Sequence, residues 1–323
     1  MKLNYRYLVI AVIPISIFFA CSYYLQTSKT PWVDECYTYY GVTHESWNGF
    51  LESICSGVNF SPPLYFLINW IIQLFLTISI ESLRIESAIY ISIGVFLVFY
   101  KCAKLFNKTS AFLGCTLILI QSDLLLEQAM EARHYGLFFA CSAWVLLLIP
   151  NNQSFNSTRH KILYFVAHFS LCCTHYVGII FSTITGIARY LHKNDRRFSA
   201  NLPVIEIYAC ALALPIYIFL LSHQSSHLGN WPKPNGLSAL LDIYCDSLTL
   251  IIVVVPLFIA IMISDFKLKR TTTKIFPLVF VVVAWLLIPL ICWIVSHTSN
   301  LNLLKDRYFI GKEAALMVLV SFM

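Results

Sequence analysis

Asp34 and Glu35 are adjacent acids just past the end of an apolar stretch, after Thr30-Pro31-Trp32-Val33 and beside Tyr37, Tyr39 and Tyr40. Burial and like-charge proximity raise a carboxyl pKa, so a partly dry carboxylate pair suits a general base near neutral pH. A solvated loop with two ordinary acids has the same sequence appearance. Farther along, Glu131-Ala132-Arg133-His134-Tyr135 offers another acid and a cation, and Thr174-His175-Tyr176 and Lys305-Asp306-Arg307-Tyr308 follow. Arginine suits phosphate because its planar fork reaches two oxygens, although it also anchors lipid head groups without specificity. His175 has the chemistry to bind phosphate, donate a hydrogen bond or shuttle a proton, and equally to sit satisfied in a core. An Arg133–carboxylate pair that only closes a helix end is the plainer reading of that segment. No Gly-rich phosphate loop, H-E-x-x-H or G-x-S-x-G occurs, which argues against a nucleoside triphosphate substrate.

The chain that must position these groups has 323 residues, 59% hydrophobic and 12% charged. A soluble domain carries roughly a quarter charged residues. With a mean hydropathy of +0.73, the apolar side chains exceed what one water-soluble core hides. A soluble enzyme, a DNA-binding module and a disordered chain are excluded, and an all-α polytopic membrane protein is expected. The formal charge of +6 then reports topology and membrane lipids, not nucleic acid. The 11 Cys contain no C-x-x-C, so most read as small core hydrophobes. Cys36 and Cys55 share one polar loop, where a disulfide is an option in an oxidising compartment.

A span needs about 20 apolar residues. Spans are predicted at 7–25, 86–100, 110–127, 134–150, 203–222, 242–263 and 275–296. The first is read as an uncleaved helix rather than a signal peptide. The run 63–79 is short for a span, and 162–188 is too long for one helix and too short for two. Placing fifteen of the 22 Lys and Arg inside resolves both. On that topology 63–79 enters and leaves on the outer side or lies in the interface. Residues 162–188 become a hairpin whose tip, at 174–176, faces outward. Irregular backbone at membrane depth is tolerated only in protein or beside a wet cavity, so both anomalies point to one outward-opening cavity. In the first outer loop, 26–62, the spacing of Trp47, Phe50, Leu51 and Ile54 predicts an amphipathic juxtamembrane helix with Thr43 as its N-cap. It lies on the membrane or packs on protein. The apolar run 314–323 is too short to span, and further helices are expected beyond it.

In order, these motifs resemble the GT-C-fold membrane glycosyltransferases, specifically the bacterial glycosyltransferase family 39 group, which is dolichyl-phosphate-mannose protein mannosyltransferase-like. The matching pieces are Asp34–Glu35, Pro62–Tyr65, Leu83-Arg84-Ile85-Glu86-Ser87-Ala88, Glu131–Tyr135, Thr174–Tyr176 and Arg307–Tyr308. Glu86 and His134 depart from the pattern, standing where proline is usual. The resemblance implies a single GT-C-like catalytic module over 1–323. It also implies inverting transfer of a sugar from a polyprenyl-phosphate donor to an extracytoplasmic protein, lipid or glycan acceptor. Asp34 takes the place of the base and Glu35 orients or shares that task. Arg84, Arg133, Arg307 and His175 face the donor phosphate, with Glu131, Tyr65, Tyr135 and Tyr308 in support. The expected setting is a bacterial inner membrane with the site facing the periplasm. Because phosphate is a good leaving group, one base plus cations is sufficient and no cofactor is required. No metal is predicted, although Asp34, Glu35 and Glu131 are able to hold a divalent ion if they converge. The competing reading of the composition is a lipid or solute transporter or flippase, but no pair of similar halves is present.

Overall fold

The computed structural model describes residues 5–56, 61–149, 157–191, 203–224, 236–245, 272–298 and 304–322. The described chain runs α1 (Tyr5–Gln26), α2 (Val33–Val42), α3 (Trp47–Cys55), α4 (Leu64–Gln73), α5 (Ile80–Leu105), α6 (Lys108–Gln121), α7 (Asp123–Ala129), α8 (Tyr135–Leu148), α9 (Thr158–Thr174), α10 (Val177–Leu191), α11 (Val204–Gln224), α12 (Gly236–Cys245), α13 (Thr272–Leu286), α14 (Ile288–Thr298), a 3-10 turn (Asp306–Phe309) and α15 (Gly311–Phe322). No strand occurs among the described residues. Among the described residues, four segments are long and apolar enough to cross a membrane: Val9–Gln26, Ile80–Leu105, Val204–His223 and Pro277–Thr298. The protein is an all-α polytopic membrane protein.

Several boundaries differ from the sequence expectation. α5 begins six residues before the apolar window at 86. Ser79 caps it by accepting the Ser82 amide at 3.2 Å, and the Ser82 hydroxyl accepts the Ser79 amide at 2.8 Å. The span expected at 110–127 breaks at Ser122, where α6 and α7 meet at 74°. The N-cap of α3 is Ser46, whose hydroxyl accepts the Gly49 amide; Thr43 instead closes α2. Cys36 and Cys55 are free thiols. Most of the predicted span 242–263 lies outside the described residues. The hairpin at 162–188 is present as α9 and α10, joined at His175 and Tyr176.

The core centres on α8, which has 12 of its 14 residues buried. It is wrapped by α5, α9 and α15, so its short length is covered by protein. α5 and α8 approach closely at Gly136, where a Cβ would lie 2.7 Å from the Ser87 carbonyl oxygen. α15 passes α8 at Gly311, where a Cβ would meet Ser142 Oγ at 2.8 Å. Two basic residues used as topology markers are built into this core. Lys101 donates to the carbonyls of Leu147 and Ile149 and so closes the C-terminal end of α8. Arg189 pairs with Glu206, which also accepts from the Tyr164 hydroxyl at 2.8 Å.

α2 packs against both α3 and α4. Trp70 Nε1 and Gln73 Nε2 both donate to the His44 carbonyl, tying α4 to the chain after α2. The apolar stripe of α3 divides. Phe50 and Ile54 are buried against protein and Phe50 stacks on Trp70, whereas Trp47 and Leu51 remain exposed.

Candidate active site

Asp34 and Glu35 lie in the first turn of α2, not in a loop, and their side chains have different fates. Glu35 is fully buried, and Arg84 donates to it twice, from Nε to Oε1 at 2.8 Å and from Nη2 to Oε2 at 2.7 Å. The Ala132 amide donates to Oε1 at 2.8 Å and the Trp32 amide to Oε2 at 3.2 Å. Burial works to raise its pKa. The hydrogen bonds from Arg84, Ala132 and Trp32, with the Arg84 charge, outweigh that and hold the carboxyl below its ordinary value. This is opposite to the raised pKa expected of a dry acid pair. Arg84 is equally committed, since Nη1 also donates to the carbonyls of Gln26 and Lys29 at 3.2 and 2.8 Å. The pair therefore joins the end of α1, the start of α2, the start of α5 and the turn before α8.

Asp34 points to a different side of α2 and remains partly exposed. Its Oδ2 lies 3.7 Å from Nη2 of Arg133 and 3.7 Å from Nη2 of Arg307. The long distances and partial exposure leave a loose triad with two positive charges to one negative. Arg133 is aimed by its Nη1, which donates to the Asp34 carbonyl at 3.1 Å and to Thr38 Oγ1 at 3.3 Å. Its own carbonyl accepts from Ser87 at 3.2 Å. Arg307 stands over two aromatic faces, 5.4 Å from the Trp32 ring and 5.7 Å from the Tyr135 ring. Its Nε is buried and has no hydrogen-bond partner.

Beneath the arginines is an aromatic floor. His175 is buried, with ring centroids 4.9 Å from Tyr308, 5.2 Å from His134 and 5.7 Å from Tyr135. Its Nδ1 accepts the Val177 amide at 3.1 Å. Burial, reinforced by the charges of Arg133 and Arg307, pushes its pKa down to about 3. That shift favours the neutral form of the ring near pH 7. Glu131 pairs with Lys29 at 3.1 Å, and Tyr65 is buried edge-on to His134 at 6.4 Å.

The structure thus gathers Asp34, Arg133, Arg307, Tyr135, Tyr308 and His175, and sets Glu35 with Arg84 behind them as a bolt. Glu35 and Glu131 are each held by a basic residue. Among the described residues no three His, Cys, Asp or Glu side chains gather to hold a metal. Sequence reasoning missed Thr38, Ser87 and Lys29. Thr38 was legible, since it lies one turn after Asp34 on the same helix face. A separate open groove of about 240 Å³, lined by Tyr37, Tyr40, His44 and Glu52 among others, lies between α2 and α3 and holds no Lys or Arg.

No family model and no curated protein matches this chain. Two solved structures do. ArnT from Cupriavidus metallidurans bound to undecaprenyl phosphate superposes with a TM-score of 0.66 at 13% identity, covering 99% of this chain and 60% of that one. The apo state of the same enzyme gives 0.66 at 12% identity, over 96% of this chain and 59% of that one. The chain thus spans about 60% of the length of the proteins it resembles. At this identity the likeness is one of fold: the helical bundle has the GT-C membrane fold.

Proposed function

We propose that this protein is an inverting membrane glycosyltransferase that moves a sugar from a polyprenyl phosphate to an acceptor. The observation that carries the proposal is the junction of Asp34 with Arg133 and Arg307. One partly exposed carboxylate beside two guanidinium groups is the inventory this reaction needs. In this reading Arg133 and Arg307 bind the donor phosphate. They stabilise the charge that grows on it as the glycosidic bond breaks, commonly a large catalytic term. Asp34 takes the proton from the acceptor as it attacks the opposite face of the sugar, which inverts the anomeric centre. Glu35 and Arg84 position Asp34 and the turn carrying Arg133 rather than touch substrate.

Undecaprenyl phosphate bound to the similarly folded ArnT supports a polyprenyl-phosphate partner. The collinear motifs support kinship with the family 39 group, and a bacterial inner membrane with the site on the periplasmic side agrees with the distribution of basic residues. The test is incubation of the purified protein with radiolabelled undecaprenyl-phosphate sugars and an envelope extract as acceptor. The expected result is consumption of the donor with release of free undecaprenyl phosphate. Movement of label across a vesicle membrane without cleavage overturns the reading in favour of a carrier.

A further inference from the structure

The open groove between α2 and α3 adjoins the Asp34 centre through the face of α2. Successive residues of a helix turn by about 100°, so Thr38 falls about 40° to one side of Asp34 and Tyr37 about 60° to the other. The Thr38 side carries Arg133, whose Nη1 donates to Thr38 Oγ1 at 3.3 Å. The Tyr37 side opens into the groove, which is lined by Tyr37, Tyr40, Gly41, His44, Glu52 and Ser53 among others. Along the helix axis Tyr37 stands about 4.5 Å beyond Asp34 and Gly41 about 10 Å beyond it. The frame of the groove is held by its neighbours. The His44 carbonyl accepts from Trp70 Nε1 at 3.0 Å and from Gln73 Nε2 at 2.6 Å, and buried Phe50 and Ile54 seat α3. Its side chains face outward: Tyr37 is 41% exposed, Tyr40 is 67% exposed and Glu52 is exposed.

We propose that this groove holds a neutral sugar ring of a glycan acceptor, with a hydroxyl of that glycan reaching Asp34. The inference rests on the glycosyltransferase reading and names the acceptor class which that reading leaves open. Tyr37 and Tyr40 offer apolar ring faces with polar tips, which suit a sugar ring that is apolar on its C–H face and polar at its edge. The Glu52 carboxylate accepts hydrogen bonds, and His44 and Ser53 add groups able to donate or accept, so the hydroxyls around the ring find partners. With one carboxylate and no Lys or Arg in its lining, the groove repels a phosphorylated group. Its volume of about 240 Å³ lies below the roughly 300–1,000 Å³ of sites that enclose drug-sized molecules, which fits a ring-sized group. The arrangement sets Asp34 between two substrates, with the donor phosphate on the side of Arg133 and Arg307 and the acceptor on the side of Tyr37. In the transfer step the acceptor oxygen bonds to the anomeric carbon and its proton passes to Asp34. The bond to the phosphate oxygen breaks, and its electron pair leaves with the phosphate.

The test is ligand-observed NMR on the full chain in lipid nanodiscs, comparing wild type, Tyr40→Ala and Glu52→Gln. Both side chains are exposed, so their replacement leaves the core intact. The neutral probes are cellotriose, maltotriose and N-acetylchitotriose, beside glucose 6-phosphate as a charged sugar and a Ser/Thr-rich peptide as a protein-like acceptor. Both variants are expected to bind undecaprenyl phosphate like wild type, which also reports an intact fold. At least one neutral trisaccharide is expected to bind wild type, about tenfold more weakly to Tyr40→Ala and about fivefold more weakly to Glu52→Gln. Binding of none of the trisaccharides, or binding that ignores both substitutions, overturns the subsite and leaves the function standing. Binding of glucose 6-phosphate or of the peptide in place of the trisaccharides overturns the neutral-glycan assignment. A wild type that binds no undecaprenyl phosphate overturns the function and the acceptor role with it.

Discussion

Asp34 and Arg307, from opposite ends of the described chain, meet with Oδ2 and Nη2 3.7 Å apart. Arg133 reaches the same oxygen at the same distance. This places an excess positive charge around a carboxylate that retains access to solvent. The two arginines are backed by the rings of Trp32 and Tyr135, which supply low-dielectric surroundings where their charges act strongly.

Replacing Asp34 by Asn removes the proposed base and keeps the shape. Transfer is expected to fall by about 10²- to 10⁴-fold in the radiolabel assay. Binding of undecaprenyl phosphate should hold or strengthen, because the competing negative charge is gone. Undiminished transfer would remove Asp34 from the chemistry.

Arg307→Ala is expected to weaken undecaprenyl phosphate binding about 10- to 100-fold, the range for a charge-assisted contact. Arg307→Lys should restore only part of this, because an ammonium cannot lie flat on Trp32 while offering a fork to phosphate. Full rescue by lysine would argue for a simple point charge.

Glu35 and Arg84 should behave as a structural unit. Arg84→Met strands a buried carboxylate and is expected to cost about 3–5 kcal/mol in denaturation. The double variant Glu35→Gln/Arg84→Met should recover much of that loss. The folded pKa of Glu35 lies below its ordinary value of 4.5. Its contribution is therefore complete above that value and is lost as pH falls below it. An Arg84→Met variant as stable as wild type would contradict this role.

His175 carries a linkage of the same sign in a higher pH window. Its folded pKa of about 3 lies below the ordinary 6.5, so between these values the unfolded chain binds a proton that the folded chain refuses. Its contribution to stability falls as pH drops from about 6.5 toward 3. His175→Phe should flatten that part of the stability–pH profile. His134, stacked on the same ring, remains as the neighbouring titratable group. Chemical shifts of labelled histidine that show His175 protonating near pH 6.5 would refute the assignment.

Gly136→Ala tests the seam that sets Arg133 in place. The new methyl would face backbone at Ser87, which has no flexible end to move aside. A loss of about 1–3 kcal/mol is expected, together with weaker lipid-phosphate binding as the turn before α8 is displaced. A normal thermal midpoint would show that the seam yields.

The apolar composition and the rarity of charge determined by themselves that the chain lives in a membrane as a helical bundle, because apolar surface on this scale has no other solvent. The order of Asp34, Arg133, His175 and Arg307 along the chain also marked the candidate site, since polar side chains at the ends of apolar runs need a reason to be there. Tertiary structure alone decided which of these groups are open and which are closed. Asp34 and Glu35 are adjacent in sequence, but successive helical positions point about 100° apart, so one meets Arg133 and Arg307 while the other is locked to Arg84. The same holds for Lys101 and Arg189, whose charges look like topology signals until the chain folds around them. Burial and pairing depend on partners dozens of residues away, and no local pattern encodes where those partners arrive.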